Sequence, residues 1–182
     1  MKQPDFSELF SNHFGGKPKK VGYELRDGPC ILHDLAFLTS LVHDARFRRK
    51  DIIAKGERLT IPINRDCWEL PMTEDKELYI ADSRLTFATV RDVKWIFMDI
   101  EESNENHELW IEYLYFDEHF RSHHKDRFGF VVSGYMWQLR FTLAQTDYAV
   151  RLQDTEVPYL YSEKQRPNKS LKRDAAKNRR AP

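Results

Sequence analysis

YMWQLRFTL, residues 135–143, decides how this chain folds. Tyr135, Trp137, Leu139, Phe141 and Leu143 alternate there with Met136, Gln138, Arg140 and Thr142. Successive side chains of a strand point to opposite faces, so a period of two with polar partners marks a strand with one wet face. Such strands belong to antiparallel sheets, because parallel sheets are covered on both faces and read as unbroken apolar runs.

The same period extends outward. Leu59, Ile61 and Ile63 alternate with Thr60 and Pro62, and Leu85, Phe87 and Thr89 alternate with Thr86 and Ala88. Val93, Trp95 and Phe97 lead into the polar turn EESNENH, residues 101–107. Leu109, Ile111, Tyr113 and Tyr115 alternate with Trp110, Glu112, Leu114 and Phe116. Downstream, Gln145-Thr146-Asp147 turns the chain into Tyr148, Val150 and Leu152. This pattern predicts six to eight antiparallel strands, with no repeat at a fixed period.

Before residue 50 the period becomes helical. Leu35, Leu38, Leu41, Val42 and Ala45 form one apolar stripe, which predicts a helix over residues 33–47 with Asp34 as its N-cap. Arg46, Arg48 and Arg49 would then sit at its C-terminal end, where the helix dipole favours cations. A shorter helix is predicted over residues 5–14, where Asp5 and Glu8 have capping-box spacing and Phe6, Leu9 and Phe10 share a face before Gly15-Gly16. The expected fold is α+β: two N-terminal helices packed on a mainly antiparallel six- to eight-stranded sheet or sandwich. Residues 1–165 read as one globular domain and residues 166–182 as a basic tail.

The chain has 182 residues with equal numbers of basic and acidic side chains, 29 of each. Seven of the basic residues and one acidic residue fall in the tail, so residues 1–165 carry 22 basic against 28 acidic, or −6. An acidic body argues against nucleic acid and for a basic protein partner. Cys30 and Cys67 form neither a disulfide framework nor a metal knuckle. MKQPDFSELF lacks the apolar core of a secretory leader, and no run is long enough for a membrane span. The expectation is therefore a cytoplasmic protein that avoids nucleic acid and membrane.

Few segments suggest chemistry. His33-Asp34 and His43-Asp44 resemble the adjacent ligands of a metal phosphohydrolase, but on one helix they fall some 80° apart, and capping or surface charge explains them. In DEHFRSHHKDR, residues 117–127, His119 and His123 are spaced i, i+4 beside Asp117, a two-histidine arrangement that zinc accepts on a helix. No Glu stands where a metalloprotease needs its base, and a polar loop between strands has the same composition. No nucleophile elbow, phosphate loop or dinucleotide fingerprint occurs. Among the four tryptophans, Trp95 and Trp110, with Tyr113, are candidate ligand-binding residues, because such side chains anchor ligands when they line a cleft.

The tail reads RPNKSLKRDAAKNRRAP. It resembles the translated end of a bacterial integron gene cassette, where a reading frame runs into the recombination site. The resemblance covers only the tail and implies no fold and no catalytic residue. It implies a mobile gene whose product is a small accessory protein, and a tail charge that comes from DNA selected for recombination. The tail's helix formers also suit docking on the acidic body or on a second copy, as in a homodimer.

Together these features point to a non-catalytic binding protein of the antitoxin or immunity type, with an acidic face and no cofactor. The alternatives are a small-molecule binding protein or enzyme with an aromatic cleft, and a metal hydrolase built on His119, His123 and Asp117.

Overall fold

The structure, a computed structural model, describes residues 18–26, 28–70, 72–75, 77–98, 104–117, 119 and 127–160. Twelve strands and one helix follow in the order β1 (Gly22–Glu24), α1 (Ile31–Val42), β2 (Arg46–Arg48), β3 (Ile53–Lys55), β4 (Arg58–Asp66), β5 (Tyr79–Phe87), β6 (Val90–Phe97), β7 (Glu108–Trp110), β8 (Tyr113–Asp117), β9 (Phe128–Gly134), β10 (Trp137–Leu143), β11 (Val150–Asp154) and β12 (Tyr159–Leu160). The larger sheet runs β1-β11-β5-β4-β2-β7, with β12 also on β5 and β3 also on β4. The smaller runs β6-β10-β9-β8, and every pairing in both is antiparallel.

The two sheets face each other across one core. Phe87 of the larger sheet meets Phe141 and Phe130 of the smaller at ring-centroid distances of 4.8 and 5.6 Å. Phe47 and Trp137 make the same connection at 5.3 Å. The alternation read from the sequence explains this. In β4, Leu59, Ile61 and Ile63 are buried while Thr60, Pro62 and Asn64 keep contact with solvent; in β10, Trp137, Leu139 and Phe141 are buried against half-buried Gln138 and Arg140.

The expected pair of N-terminal helices is overturned. The described residues are mostly antiparallel sheet, 50% of them strand and 13% helical, and α1 is the single α-helix among them. The first predicted helix, residues 5–14, lies outside those residues. The second is shorter than expected: it starts from Cys30, so Asp34 sits in the first turn instead of at the cap. It stops at Val42 because His43 is extended and Asp44 takes a positive φ of 62°, which ends the helical ladder. Arg46 and Arg48 therefore belong to β2, and Arg49 opens a short 3-10 turn, Arg49–Asp51. The apolar stripe does behave as expected, since Leu35, Leu38, Leu41 and Val42 are buried in the common core. The Thr39 hydroxyl lies within reach of the Leu114 carbonyl at 3.3 Å, tying α1 to the free side of β8.

The stretch 109–116 is one strand in the sequence and two in the structure. β7 belongs to the larger sheet and β8 to the smaller, and the chain crosses between them at Ile111 and Glu112. Ile111 keeps both sheets in register: its N–H donates to the Ala45 carbonyl, its carbonyl accepts from Asp44, and Glu112 N–H donates to Ser133. The crossing reverses the phase, so Leu109, Ile111 and Leu114 are buried while Tyr113 and Tyr115 are exposed. Among the described residues, no helix is long and apolar enough to cross a membrane.

Candidate functional site at the acidic end of the larger sheet

Residues 64–82, NRDCWELPMTEDKELYIAD, hold six acidic and two basic residues, or −4. They form the end of β4, the connection to β5, and the beginning of β5. The connection is closed by its own hydrogen bonds. Cys67 N–H donates to the Tyr79 carbonyl at 2.7 Å, Thr73 N–H to the Glu77 carbonyl at 3.1 Å, and Glu77 N–H to the Thr73 hydroxyl at 3.0 Å. Cys67, Leu70 and Ala81 fill a small apolar cluster beneath, with Tyr79 against it. That leaves Trp68 49% and Met72 60% exposed, beside the exposed carboxylates of Glu74 and Asp75.

Below this loop lies a buried charge network. The inward series Leu59, Ile61, Ile63 continues to Arg65, so an arginine occupies a core-facing position. Burying a cation is unfavourable unless it is paired and hydrogen-bonded. Here Asp154, at the inward end of β11, accepts from Arg65 Nη2 at 3.1 Å on both carboxylate oxygens. Glu69 takes the other side of the fork, with Nη1 at 3.0 Å and Nη2 at 2.7 Å. The Ser83 hydroxyl donates to Asp154 Oδ1 at 2.6 Å, and Val21 N–H donates to Oδ2 at 2.8 Å. Burial disfavours charge on Arg65, yet the hydrogen bonds and charge of Glu69, together with Asp154, raise its pKa above the usual arginine range. Burial, reinforced by Glu69, Asp154 and Asp66 against the opposing pull of Arg65, pushes the Cys67 thiol up to about 12. It therefore stays protonated at neutral pH and is not a nucleophile.

On the outer face of the same strands runs a second polar row. The register places Trp110, Arg46, Asn64 and Asp82 side by side across β7, β2, β4 and β5. Arg46 donates to Asn64 Oδ1 at 3.1 Å and reaches Asp66 at 3.5 Å. Asn64 Nδ2 donates to Asp82 Oδ1 at 2.8 Å, and the Tyr159 hydroxyl donates to Asp82 Oδ2 at 3.2 Å.

The aromatic residues singled out in the sequence go to different faces. Trp110 is 54% exposed on the outside of the larger sheet, and Tyr113 is 57% exposed on the outside of the smaller, edge-on to His43 at 6.4 Å. Trp95 turns inward. It stacks on Phe97 at 5.4 Å, with the Arg49 guanidinium 5.3 Å from its ring centroid.

The candidate metal ligands are also partly placed. Asp117 accepts a hydrogen bond from the His119 backbone N–H at 3.0 Å and faces Arg140 at 3.6 Å. His123 lies outside the described residues. Among the described residues, no three His, Cys, Asp or Glu side chains converge as a metal site. His33 and His43 sit at opposite ends of α1, and His43 Nδ1 pairs with Asp44 at 3.0 Å.

Sequence reasoning missed Trp68, Met72, Glu74 and Asp75, although the local charge of residues 64–82 was readable. What this end offers is negative potential beside two exposed apolar side chains, over a foundation whose own charges are already satisfied. Such a surface attracts cations and gives them something to pack on. No protein family, curated protein or solved structure matches the chain.

Proposed function

We propose that the protein is a non-catalytic binding protein of the antitoxin or immunity type, and that it holds a basic protein partner on the acidic end of its larger sheet. The observation that carries this reading is the exposure of Trp68 and Met72 within a segment of net charge −4. Complementary charge steers a partner to a surface and sets its orientation, while buried aromatic anchors supply most of the affinity. An acidic loop alone would be an ordinary solvated turn; an acidic loop that also leaves a tryptophan and a methionine in water is suited to being covered. A bacterial cytoplasm, the cassette origin implied by the tail, and the absence of nucleic acid among its partners belong to the same reading.

The test uses oligolysine and oligoglutamate peptides of equal length as probes. Oligolysine should quench or shift Trp68 fluorescence, and oligoglutamate should not. Raising ionic strength from about 0.01 M to about 1 M contracts the Debye length from about 30 Å to about 3 Å and should abolish the effect. Glu74→Lys with Asp75→Lys should weaken binding about tenfold, which corresponds to two exposed contacts changed from attraction to repulsion at up to about 1 kcal/mol each. Unchanged binding in that variant would place the interaction elsewhere and end this reading.

A further inference from the structure

We infer that the basic segment 166–182 is the resident occupant of the acidic end, held there within the same chain. The inference rests on the reading of that end as a docking surface and names what covers it when no partner is bound. β12 is the last described element, and its Leu160 and Tyr159 pair with Tyr79 and Ile80 at the beginning of β5. The chain therefore leaves the sheet at the rim of the acidic end. From residue 160 to residue 166 the backbone spans at most about 20 Å, at roughly 3.3–3.6 Å per residue. The loop closed by the Thr73–Glu77 hydrogen bonds leads into the same Tyr79, and the backbone from Glu74 to Tyr79 spans at most about 18 Å, a comparable reach.

The charges are complementary. Residues 166–182 carry seven basic side chains and one acidic, and residues 64–82 carry six acidic and two basic. Exposed Trp68 and Met72 supply apolar surface for lysine and arginine stems, and the indole face suits a guanidinium. Single exposed ion pairs are weak. Tethering changes the arithmetic, because joining two sites through a short stretch of chain makes binding intramolecular, at an effective concentration in the millimolar range. A contact with a dissociation constant of about 1 mM between separate molecules is then roughly half occupied. A partner competing for the same end binds about twofold more weakly, or more weakly still if the contact is tighter. The segment thus acts as a built-in competitor, whatever the origin of its sequence.

The experiment uses the full chain. A nitroxide is attached at Ala175→Cys in a Cys30→Ser background, with Cys67 protected by burial. Backbone amides and the Trp68 indole are then followed by NMR. Paramagnetic broadening should concentrate on residues 64–82 at low ionic strength, and should vanish at about 1 M salt and in the Glu74→Lys, Asp75→Lys variant. Broadening that is absent, uniform over the molecule, or indifferent to salt overturns the inference. A mixed sample of isotope-labelled chains and unlabelled, spin-labelled chains tests the second-copy alternative; broadening there shows exchange between molecules and also overturns it. Oligolysine affinity separates this inference from the function on which it rests. Lowering the segment's charge from +6 to +4 with Lys172→Gln and Arg173→Gln should tighten oligolysine binding, by up to about twofold. Equal affinity overturns the competition while leaving the docking surface intact. Focused broadening in a chain that binds no oligolysine supports the internal contact and removes the external partner.

Discussion

Arg65→Leu is the most informative single change in this protein. The arginine is buried and makes fork contacts to two carboxylates, Glu69 and Asp154, plus a 3.3 Å contact from Nε to the Ser83 hydroxyl. Breaking a buried ion pair by removing one partner costs about 3–5 kcal/mol, mostly because the remaining charge is stranded. Two details place the expected loss at the lower end of that range. Glu69 lies near the surface and can turn to water, and Asp154 keeps the Ser83 hydroxyl and the Val21 N–H. The expected loss is about 3 kcal/mol, measured by urea unfolding with the slope unchanged, so that the midpoint reports stability. The companion variant Arg65→Leu with Asp154→Leu removes both charges and fills the space with apolar atoms. It should recover much of the loss, since apolar replacement of a whole buried pair is often neutral. A single-variant loss below about 1 kcal/mol would mean the network is solvated, and a double variant no more stable than the single would show that stranded charge is not the cause.

Leu38→Ala should destabilise the fold by about 2–5 kcal/mol, because Leu38 is fully buried at the centre of the α1 stripe; a thermal melt with no shift would remove α1 from the core. Gly134→Ala should cost about 1–3 kcal/mol or more, since an added Cβ would run into the Trp110 carbonyl and the Trp137 indole, and an unchanged melt would contradict that close approach. In the native protein a thiol reagent at pH 8 should modify half-buried Cys30 and spare Cys67 until denaturant is added; two fast thiols would refute the buried placement. Because the folded Cys67 thiol is raised to about 12, its contribution to stability is complete below the unfolded thiol value and is lost as pH rises toward 12, which alkaline unfolding curves of Cys67→Ala against the parent would show.

The sequence made some elements legible and hid others for physical reasons. β4, β5 and β10 announce themselves because one face of each strand stays polar. β9 does not. Gly129 to Ser133 are buried on both faces, so FGFVVSG shows no alternation to read. Tyr135 fits the alternation of residues 135–143 yet lies in the β9–β10 turn, where Met136 takes a positive φ of 80°. The α1 stripe was right, but its extension was not. Ala45 is buried as the stripe predicts, although it reaches the core from the turn after α1, and Phe47 is buried from β2. Burial alone does not tell a helix from a strand when the spacing is short.

The candidate site shows the same division on a smaller scale. The surplus of carboxylates between residues 64 and 82 is local, so sequence alone exposes it. The role of Arg65 is not local. Its partner Asp154 lies 89 positions away, and only the register β4-β5-β11 brings the two together with Ser83 between them. That register also gives this charged end a buried anchor. One buried guanidinium holds one carboxylate from β11 and one from the β4–β5 connection, so the loop carrying Trp68 is fastened to the far side of the sheet from beneath. The carboxylates that face water are thereby left to act on whatever approaches, while those that face the core are already engaged. A surface of this kind can repel anions and recruit cations without reorganising itself. That is the property a binding protein needs when its partner is defined more by charge than by shape.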